Sequence, residues 1–362
     1  MRGVGFNESS LGVYPAVSVY ADQVPLPFPV TASHAAYDLE RIEVLKGPQG
    51  TLFGQNSTGG AINYIVAKPT GSFEAGGDIV YGRFNTIEGN AYVSGLLSDT
   101  LGARLAVTGL NSDDWQRSNS RPNDTNGKQS YVAGRLILDF KPTDGLRMSL
   151  NLNAWRDKSD PQAQQRVAVR PQVPAIATAS VLANLAAAKF SPLDPRAADW
   201  STGVGEPRGD RKFYQGALRI DADVASSVTL TSLTSYNDDR QTQTTDGDGL
   251  PLVLFDLIKN DGYIKSFNHE LRVGNSGKGA FRWVIGANYE KSHTFENQDL
   301  TYSDSTNNAP AQFNVNRSGN TNDQRIENYA AFANGEYSIT SQLTFKAGGR
   351  YTKSRNNAAI CG

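Results

Sequence analysis

A two-residue alternation of apolar and polar side chains dominates the chain after residue 72. In the clearest case, from Leu146 to Ala154, the even-numbered positions are apolar and the odd-numbered ones are Arg, Ser or Asn. Alternation with a period of two is typical of a strand with two different faces, so the pattern predicts about eleven strands of about ten residues each. These strands are predicted near residues 73–81, 87–97, 101–111, 131–140, 146–154, 212–222, 227–237, 265–274, 281–291, 327–337 and 342–351.

The connections between the predicted strands alternate in length. Short turns are predicted at Ser98–Thr100, Pro142–Gly145, Ala225–Ser227, Asn275–Gly279 and Ile339–Ser341, and long polar loops at 113–128, 156–211, 239–262 and 293–324. Short turns on one edge and long loops on the other are typical of an antiparallel barrel of the outer membrane. A soluble antiparallel sandwich is the alternative, but its strands are usually shorter.

Aromatic residues near the predicted strand ends support the membrane interpretation. They include Trp155, Tyr236, Tyr289 and Tyr351. Rings at the interface between hydrocarbon and water would explain this placement, whereas any one of them alone fits the ordinary enrichment of aromatics in sheets. As a set they predict an aromatic belt.

Before residue 72 the pattern is shorter and interrupted by Gly and Pro. The segments "RIEVLKG" and "AINYIV" each predict a strand, with turns at Gly47-Pro48 and Gly59-Gly60. Glycine permits positive φ angles and close backbone approach. This part therefore predicts a compact sheet whose loops pass close to another surface.

Composition excludes several classes of function. The 362 residues carry a formal net charge of −1, which gives no general attraction to nucleic acid. The single cysteine, Cys361, excludes an internal disulfide framework and a multi-cysteine zinc site. No apolar run is long enough for a transmembrane helix, and the Ala-rich segment 173–190 is interpreted as a helix within a long loop.

The sequence offers no recognisable catalytic, cofactor or metal site. Lys46 precedes the glycines of "KGPQGTLFG", whereas a phosphate-binding loop places its Lys after them. No nucleophile elbow and no Ser/His/Asp set can be identified. The acidic segment Asp246–Gly249 lacks the spacing of a calcium-binding loop, so it is predicted to be a solvated loop.

Three segments before residue 72 resemble the second half of the plug of TonB-dependent receptors. They are "RGVG" (Arg2–Gly5), "VSVYADQVP" (Val17–Pro25) and "DLERIEVLKGPQGTLFGQNSTGGAINYIVAKPT" (Asp38–Thr70), and "FNHELRV" (Phe267–Val273) resembles a strand of the receptor barrel. The resemblance assigns a structural role in the plug to Arg2, Gly3, Glu40, Arg41, Glu43, Lys46, Gly47, Pro48, Gly50, Gly54, Asn56, Gly59 and Gly60.

The resemblance implies a mainly β protein, with part of an α/β plug at 1–72 and antiparallel transmembrane barrel strands at 73–362. It implies the outer membrane of a Gram-negative bacterium, contact with its lipid, and uptake driven by the TonB energy-transducing complex. A ferric siderophore is the expected solute; cobalamin, haem or an oligosaccharide, or a passive porin-like barrel, are the alternatives. Since family barrels have about 22 strands, the chain is expected to be a fragment of a longer receptor.

The resemblance also suggests how the two parts touch. Glu40, Arg41, Glu43 and Lys46 are placed to contact the predicted lumen residues Arg135, Arg147 and Arg350, although these charges could equally serve only to solvate a small domain. The predicted lumen face also carries Asp139, Asp221, Glu270 and Glu290. Because both signs of charge are present, no solute can be deduced from the field.

Overall fold

A computed structural model of the chain describes residues 10–47, 50, 58–168, 182–183, 186, 194, 196–204, 207–275, 279–308 and 314–362. Over these residues the protein is mainly β and its strands form three sheets. The strands are β1 (Val17–Ala21), β2 (Val24–Leu26), β3 (Leu39–Lys46), β4 (Gly60–Val66), β5 (Glu74–Gly82), β6 (Thr86–Ser98), β7 (Leu101–Asn111), β8 (Gln116–Ser118), β9 (Thr125–Asn126), β10 (Ser130–Thr143), β11 (Leu146–Asp157), β12 (Ala197–Ala198), β13 (Arg208–Ala225), β14 (Val228–Asp246), β15 (Asp256–Asn275), β16 (Phe281–Thr301), β17 (Arg317–Ser338) and β18 (Thr344–Cys361).

Helical structure is sparse in the described ranges. Two short 3₁₀ helices cover Pro29–Ala32 and Thr306–Asn308. Of the Ala-rich segment 173–190, only Leu182, Ala183 and Ala186 belong to the described part, and all three are helical. Among the described residues, no helix has the length and apolar character needed to cross a membrane.

The largest sheet has eleven strands in the order β5-β6-β7-β10-β11-β13-β14-β15-β16-β17-β18. Every neighbouring pair is antiparallel, as in β10 and β11, where Leu136 lies opposite Leu152. All eleven strands predicted from the alternation are present, because each one separates an apolar surface from a polar one. Strands β5 and β18 form the two edges of this sheet as described.

The predicted strand lengths are wrong for the second half of the sheet. Strands β13 to β18 have 18 to 22 residues each rather than about ten. Much of the predicted loops 239–262 and 293–324 is therefore strand. The added residues are mostly Thr, Gln, Asn and charged types, and they extend the hairpins into water. A polar loop would have the same composition, so the sequence does not distinguish the two.

A row of aromatic residues marks where the apolar part of these long strands ends. On the outer face of each of these strands, a charged residue lies two positions beyond the aromatic, on the side away from the short turns. The aromatic and charged residues are Tyr236 and Asp238, Phe267 and Lys265, Tyr289 and Lys291, Tyr329 and Glu327, and Tyr351 and Lys353. Neighbouring rings approach each other, with 4.9 Å between the centroids of Tyr289 and Tyr329. These positions suit the predicted belt.

Trp155 does not belong to this row. Its side chain is 6% exposed and lies on the inner face of β11, stacked on Phe213 with 5.5 Å between ring centroids. The belt prediction is wrong for this residue. Side chains alternate along β11, so Trp155 shares the inner face with Asn151 and Asn153, whereas the leucines of this strand are on the outer face.

A second sheet of four strands lies against the inner face of the large one. Its order is β2-β1-β4-β3, with β1 parallel to β4 and the other pairs antiparallel. Strands β3 and β4 confirm the two strands predicted on either side of Gly47 and Gly60. The β1–β2 turn has two residues, Asp22 at φ 51° and Gln23 at φ 70°, and this positive-φ pair is typical of a tight hairpin.

A third sheet joins short segments beyond the ends of the long strands. Its order is β12-β8-β9, with β12 parallel to β8. Asp199, which is fully buried, accepts hydrogen bonds from Ser118 and Ser120 and so ties the segment after β12 to the β8 segment. The long connections of the large sheet are therefore partly ordered at this end.

Candidate functional site

The contact between the four-stranded sheet and the inner face of the large sheet forms the candidate site. Its centre is the segment Ser33–Asp38, which connects the 3₁₀ helix Pro29–Ala32 to β3. His34 and Asp38 both have positive φ angles, 53° and 50°, which are uncommon for residues with a side chain. Contacts with four strands of the large sheet hold this segment in place.

Asp38 forms a bidentate ion pair with Arg104 of β7. Arg104 Nε donates to Asp38 Oδ2 at 2.8 Å while its terminal nitrogen donates to Oδ1. The two side chains are only 8% and 11% exposed, and the guanidinium lies 4.0 Å from the centroid of the Tyr92 ring. This paired geometry fixes the orientation of both groups and is stronger than a single neutral hydrogen bond.

Arg135 of β10 binds the backbone of the same segment. Its two terminal nitrogens donate to the carbonyl oxygens of Tyr37 at 2.8 Å and Ala35 at 3.1 Å, and its Nε donates to Asn153 Oδ1 at 2.7 Å. The guanidinium is also 4.3 Å from the centroid of the Tyr37 ring. Arg135 thus binds main-chain carbonyl groups of the segment before β3 and not the predicted charges at Glu40, Arg41, Glu43 and Lys46.

The side chain of His34, within this segment, lies in an aromatic pocket of the large sheet. Its Nε2 is 2.8 Å from Asp157 Oδ2 at the end of β11, and its ring centroid is 4.1 Å from that of Tyr131 and 5.2 Å from that of Trp155. The neighbouring Arg211 donates to the Val30 carbonyl at 2.9 Å. The polar contacts therefore continue from β7 to β13 along one line across the inner face.

A second contact lies at the beginning of the described chain. The Tyr14 hydroxyl donates to Glu290 Oε1 of β16 at 2.9 Å, and Asn328 donates to Glu290 Oε2 at 3.1 Å. Burial, followed by the charge of Glu290, raises the pKa of Tyr14 far above its ordinary value. A small apolar cluster, Leu11, Phe28, Ile264 and Ile326, surrounds this contact.

A cavity of about 370 Å³ borders the second contact, and Glu290 and Asn328 form part of its lining. Tyr20 and Gln23 line it from the small sheet, and Glu270, Arg272 and Arg350 line it from the large sheet. Arg272 donates to the Gln23 side chain and to Glu270. Because acidic and basic groups face one another, the cavity has no single sign of charge.

The charges predicted to bridge the two sheets do not do so in the described structure. Arg41 pairs with Glu40 and Glu43 of its own strand, and its side chain is 52% exposed. Of their predicted partners, Arg147 pairs with Asp223 and Arg350 donates to Asn288. The bridging prediction is wrong for these groups, since β3 is the outer strand of its sheet and turns its charges to solvent.

The remaining predicted motif residues occupy turns or lie outside the described part of the chain. Gly47 has φ 87° at the end of β3 and Gly60 has φ 133° at the start of β4, so both need the freedom of glycine. Lys46 and Gly59 flank these glycines, and Gly50 is helical with open space where a Cβ would stand. Arg2, Gly3, Pro48, Gly54 and Asn56 are outside the described residues.

The residues that carry the contact were not singled out from the sequence. His34, Asp38, Arg104 and Asp157 each look like an ordinary polar residue in its own segment. Arg104 could have been found, because it is an arginine at an inward position of a strand whose other inward residues are small, such as Ala106 and Thr108. Nothing in the sequence indicates that Asp38 is its partner.

One group of described residues could bind a metal ion. Asp246, Asp248 and Asp256 bring three carboxylates together, and all three side chains are buried. The prediction of a solvated loop at Asp246–Gly249 is therefore wrong, because backbone N–H groups fold inward around these carboxylates and remove them from water.

Comparison with known families matches both parts of the chain. The family described as the TonB-dependent receptor plug domain matches residues 1–61, and the family described as the TonB-dependent receptor-like β-barrel matches residues 154–359. The second match alone covers more than half of the 362 residues.

Curated relatives align over shorter stretches. The pesticin receptor of Yersinia pestis is 42% identical over 55 residues, which make up 15% of this chain and 8% of that protein. The ferric enterobactin receptor of Pseudomonas aeruginosa is 32% identical over 122 residues, covering 31% of this chain and 16% of that protein.

Solved structures match the fold at low sequence identity. The ferric yersiniabactin uptake receptor FyuA of Yersinia pestis superposes with a TM-score of 0.70 at 16% identity, over 97% of this chain and 54% of that one. The open form of the ferric-catecholate import receptor Fiu of E. coli K12 gives 0.68 at 16% identity, over 98% and 56%. The chain thus spans about half the length of these receptors.

Proposed function

The chain belongs to the TonB-dependent receptor family of outer-membrane β-barrel proteins, and we propose that the whole protein takes up a ferric siderophore across that membrane. The similar proteins support this choice of solute, because their names specify ferric enterobactin, ferric yersiniabactin and ferric catecholates. The single observation that carries the proposal is the four-stranded sheet held on the inner face by Arg104, Arg135 and Arg211.

In this proposal the four-stranded sheet is a plug and the large sheet is part of the barrel around it. The boundary near residue 72 falls between the end of β4 at Val66 and the start of β5 at Glu74. The described motif residues from Glu40 to Gly47 and at Gly59 and Gly60 are proposed to act structurally, in strands β3 and β4 and at their ends.

The chemistry of the contact suits a plug that must be displaced. Most of the described contacts are hydrogen bonds or ion pairs, and the shared apolar clusters are small. Water can replace hydrogen-bond partners once the plug moves, whereas separating a large apolar surface would require much more free energy. The TonB complex would supply the pull, through a segment that lies outside the described contacts.

The anchors on Ser33–Asp38 make displacement cooperative. Asp38 and His34 stand four residues apart and bind β7 and β11, and Arg135 binds the backbone between them. Because breaking a buried ion pair leaves an uncompensated charge, partial release is unfavourable. A pull on the plug would then release the whole segment in one step and open the path beside it.

Uptake by the full-length receptor tests the proposal. The protein is expressed in an iron-limited Gram-negative strain that lacks its own siderophore receptors, and radioactive iron is supplied on hydroxamate, catecholate and mixed-chelate siderophores in turn. We expect accumulation with at least one of them, and we expect it to vanish when TonB is deleted. Accumulation that persists without TonB would support a passive barrel instead, and uptake of cobalamin, haem or oligosaccharide alone would replace the proposed solute.

A further inference from the structure

Three buried carboxylates meet where the β14–β15 hairpin turns. Asp246 ends β14, Asp248 lies in the connecting loop and Asp256 begins β15. One oxygen from each carboxylate lies within 4.8 Å of the other two. The exposures of these residues are 1%, 2% and 0%, so water does not solvate the group.

The backbone holds two of the three carboxylates in fixed positions. Asp246 Oδ2 accepts from the Ser201 amide at 2.9 Å, and Asp248 Oδ1 accepts from the Leu250 amide at 2.9 Å. Their other oxygens accept from further main-chain N–H groups, those of Asp248, Gly249, Leu254 and Phe255. All four oxygens of Asp246 and Asp248 therefore have donors.

Asp256 is different. Its Oδ2 accepts the Ser201 hydroxyl, but its Oδ1 is buried and has no hydrogen-bond donor. A carboxylate oxygen without a partner in a dry site is strongly unfavourable. Because Oδ2 is already occupied, Oδ1 is the oxygen that Asp256 has available for a ligand.

No described basic side chain forms an ion pair with these three carboxylates; the nearby Arg166 donates from Nε to the main-chain carbonyl of Asp248 at 2.7 Å. Burial is the largest influence on the pKa of Asp248 and Asp256, and the neighbouring carboxylates raise both pKa values further; no basic side chain is among the main influences. Three carboxylates crowded together in this way must hold protons or a cation.

We propose that Asp246, Asp248 and Asp256, with the Ser201 hydroxyl, bind a calcium ion. All of these donors are oxygens, and calcium takes six to eight oxygen ligands in flexible geometry, whereas zinc and copper sites typically include His nitrogen or Cys sulfur ligands. The ion would bind Asp256 Oδ1 and balance most of the charge. It would also join the β14–β15 turn to the segment after β12, through Ser201, and so order the outer end of the barrel. This site is independent of the transported solute.

Calcium titration of the full-length receptor, purified in detergent and treated with a chelator, tests the site. We expect saturable binding of one calcium ion, detected by calorimetry, and a higher thermal unfolding temperature in its presence. The substitution Asp256→Asn should weaken binding by about tenfold or more, since it removes a charged ligand. Asp238→Asn is the matched control, because Asp238 lies on the neighbouring strand β14, away from the carboxylate group, and pairs with the exposed Arg240; the calcium affinity of this variant should not change.

Two outcomes would overturn the calcium site. Absence of saturable binding to the unmodified receptor would mean that the carboxyl groups hold protons instead, and this outcome does not depend on whether any variant folds. Equal affinities of the Asp256→Asn, Ser201→Ala and Asp238→Asn variants would place the bound calcium elsewhere.

Discussion

Asp38 and Arg104 form a bidentate ion pair across the contact between plug and barrel, with 2.8 Å between Arg104 Nε and Asp38 Oδ2. Both side chains are nearly buried, with exposures of 8% and 11%, so the pair is shielded from water. The pair also holds Asp38 at φ 50°, next to the start of β3. It therefore determines where the plug sheet begins relative to β7.

Replacing Asp38 by Asn should loosen the plug. The Asn side chain keeps the shape but leaves Arg104 buried without its counter-charge, and breaking a buried pair typically costs about 3–5 kcal/mol. We expect faster limited proteolysis of residues before β5 and a lower unfolding temperature of the receptor in detergent. Glu40→Gln is the control, because the Glu40–Arg41 pair is exposed. Equal protease sensitivity of the two variants would contradict a structural role for the buried pair.

Gly47→Ala should destabilise the plug, whereas Gly50→Ala should not. Both glycines have open space where a Cβ would stand, but Gly47 has φ 87°. A left-handed conformation costs about 1–2 kcal/mol for a residue with a Cβ. Gly50 is helical, and alanine is favoured there. Chemical unfolding, monitored by proteolysis of the plug, measures the difference in stability. An equal effect of both substitutions would exclude the positive φ angle as the reason for glycine at position 47.

Alkaline pH should weaken the attachment of the plug. Burial raises the pKa of Tyr37 to about 12, and it raises the pKa of Tyr14 further still, compared with 10.0 for an exposed tyrosine. The folded state thus favours the neutral phenols, so their contribution is complete below pH 10.0 and is lost as the pH rises toward the folded-state values. Unfolding temperatures measured from neutral to alkaline pH should fall above pH 10.0.

The Tyr14→Phe variant tests whether Tyr14 causes the loss of stability at alkaline pH. It lacks the hydrogen bond to Glu290, so we expect lower stability at neutral pH but a shallower decline in alkali. Tyr81→Phe is the control, since Tyr81 is 70% exposed on a strand of the barrel. An unchanged alkaline slope in Tyr14→Phe would show that another group governs it.

The alternation of side chains predicts the strands of this protein well, because each barrel strand lies between two different surroundings. It predicts strand ends poorly. In β16, for example, alternation between apolar and polar positions stops near Lys291, yet the hairpin continues to Thr301 with polar residues on both faces. Such residues are equally compatible with a loop, so only the pairing of β16 with β17 distinguishes the two.

The contacts of the plug were less predictable still. The charged run from Glu40 to Lys46 is conspicuous in the sequence, but it lies on the strand at the far edge of the plug sheet. Asp38, one residue before β3, makes the buried ion pair instead. Which charges meet depends on how the plug sheet is oriented on the barrel, and no local pattern encodes that orientation. The carboxylates of Asp246 and Asp256 are similar, since they meet only through strand pairing.

Arginine substitutions on the outer face of β16 should show where the hydrocarbon layer ends. Ile285 is 54% exposed and lies between the short turn and Tyr289, so Ile285→Arg places a charge in the lipid at a cost of about 2–4 kcal/mol. Asn297 is on the same face beyond Lys291, and Asn297→Arg should have little effect. Folding of the full-length receptor into lipid vesicles, measured in a urea series, compares them. Equal destabilisation by both would mean that the membrane boundary lies further along the strand than the aromatic row indicates.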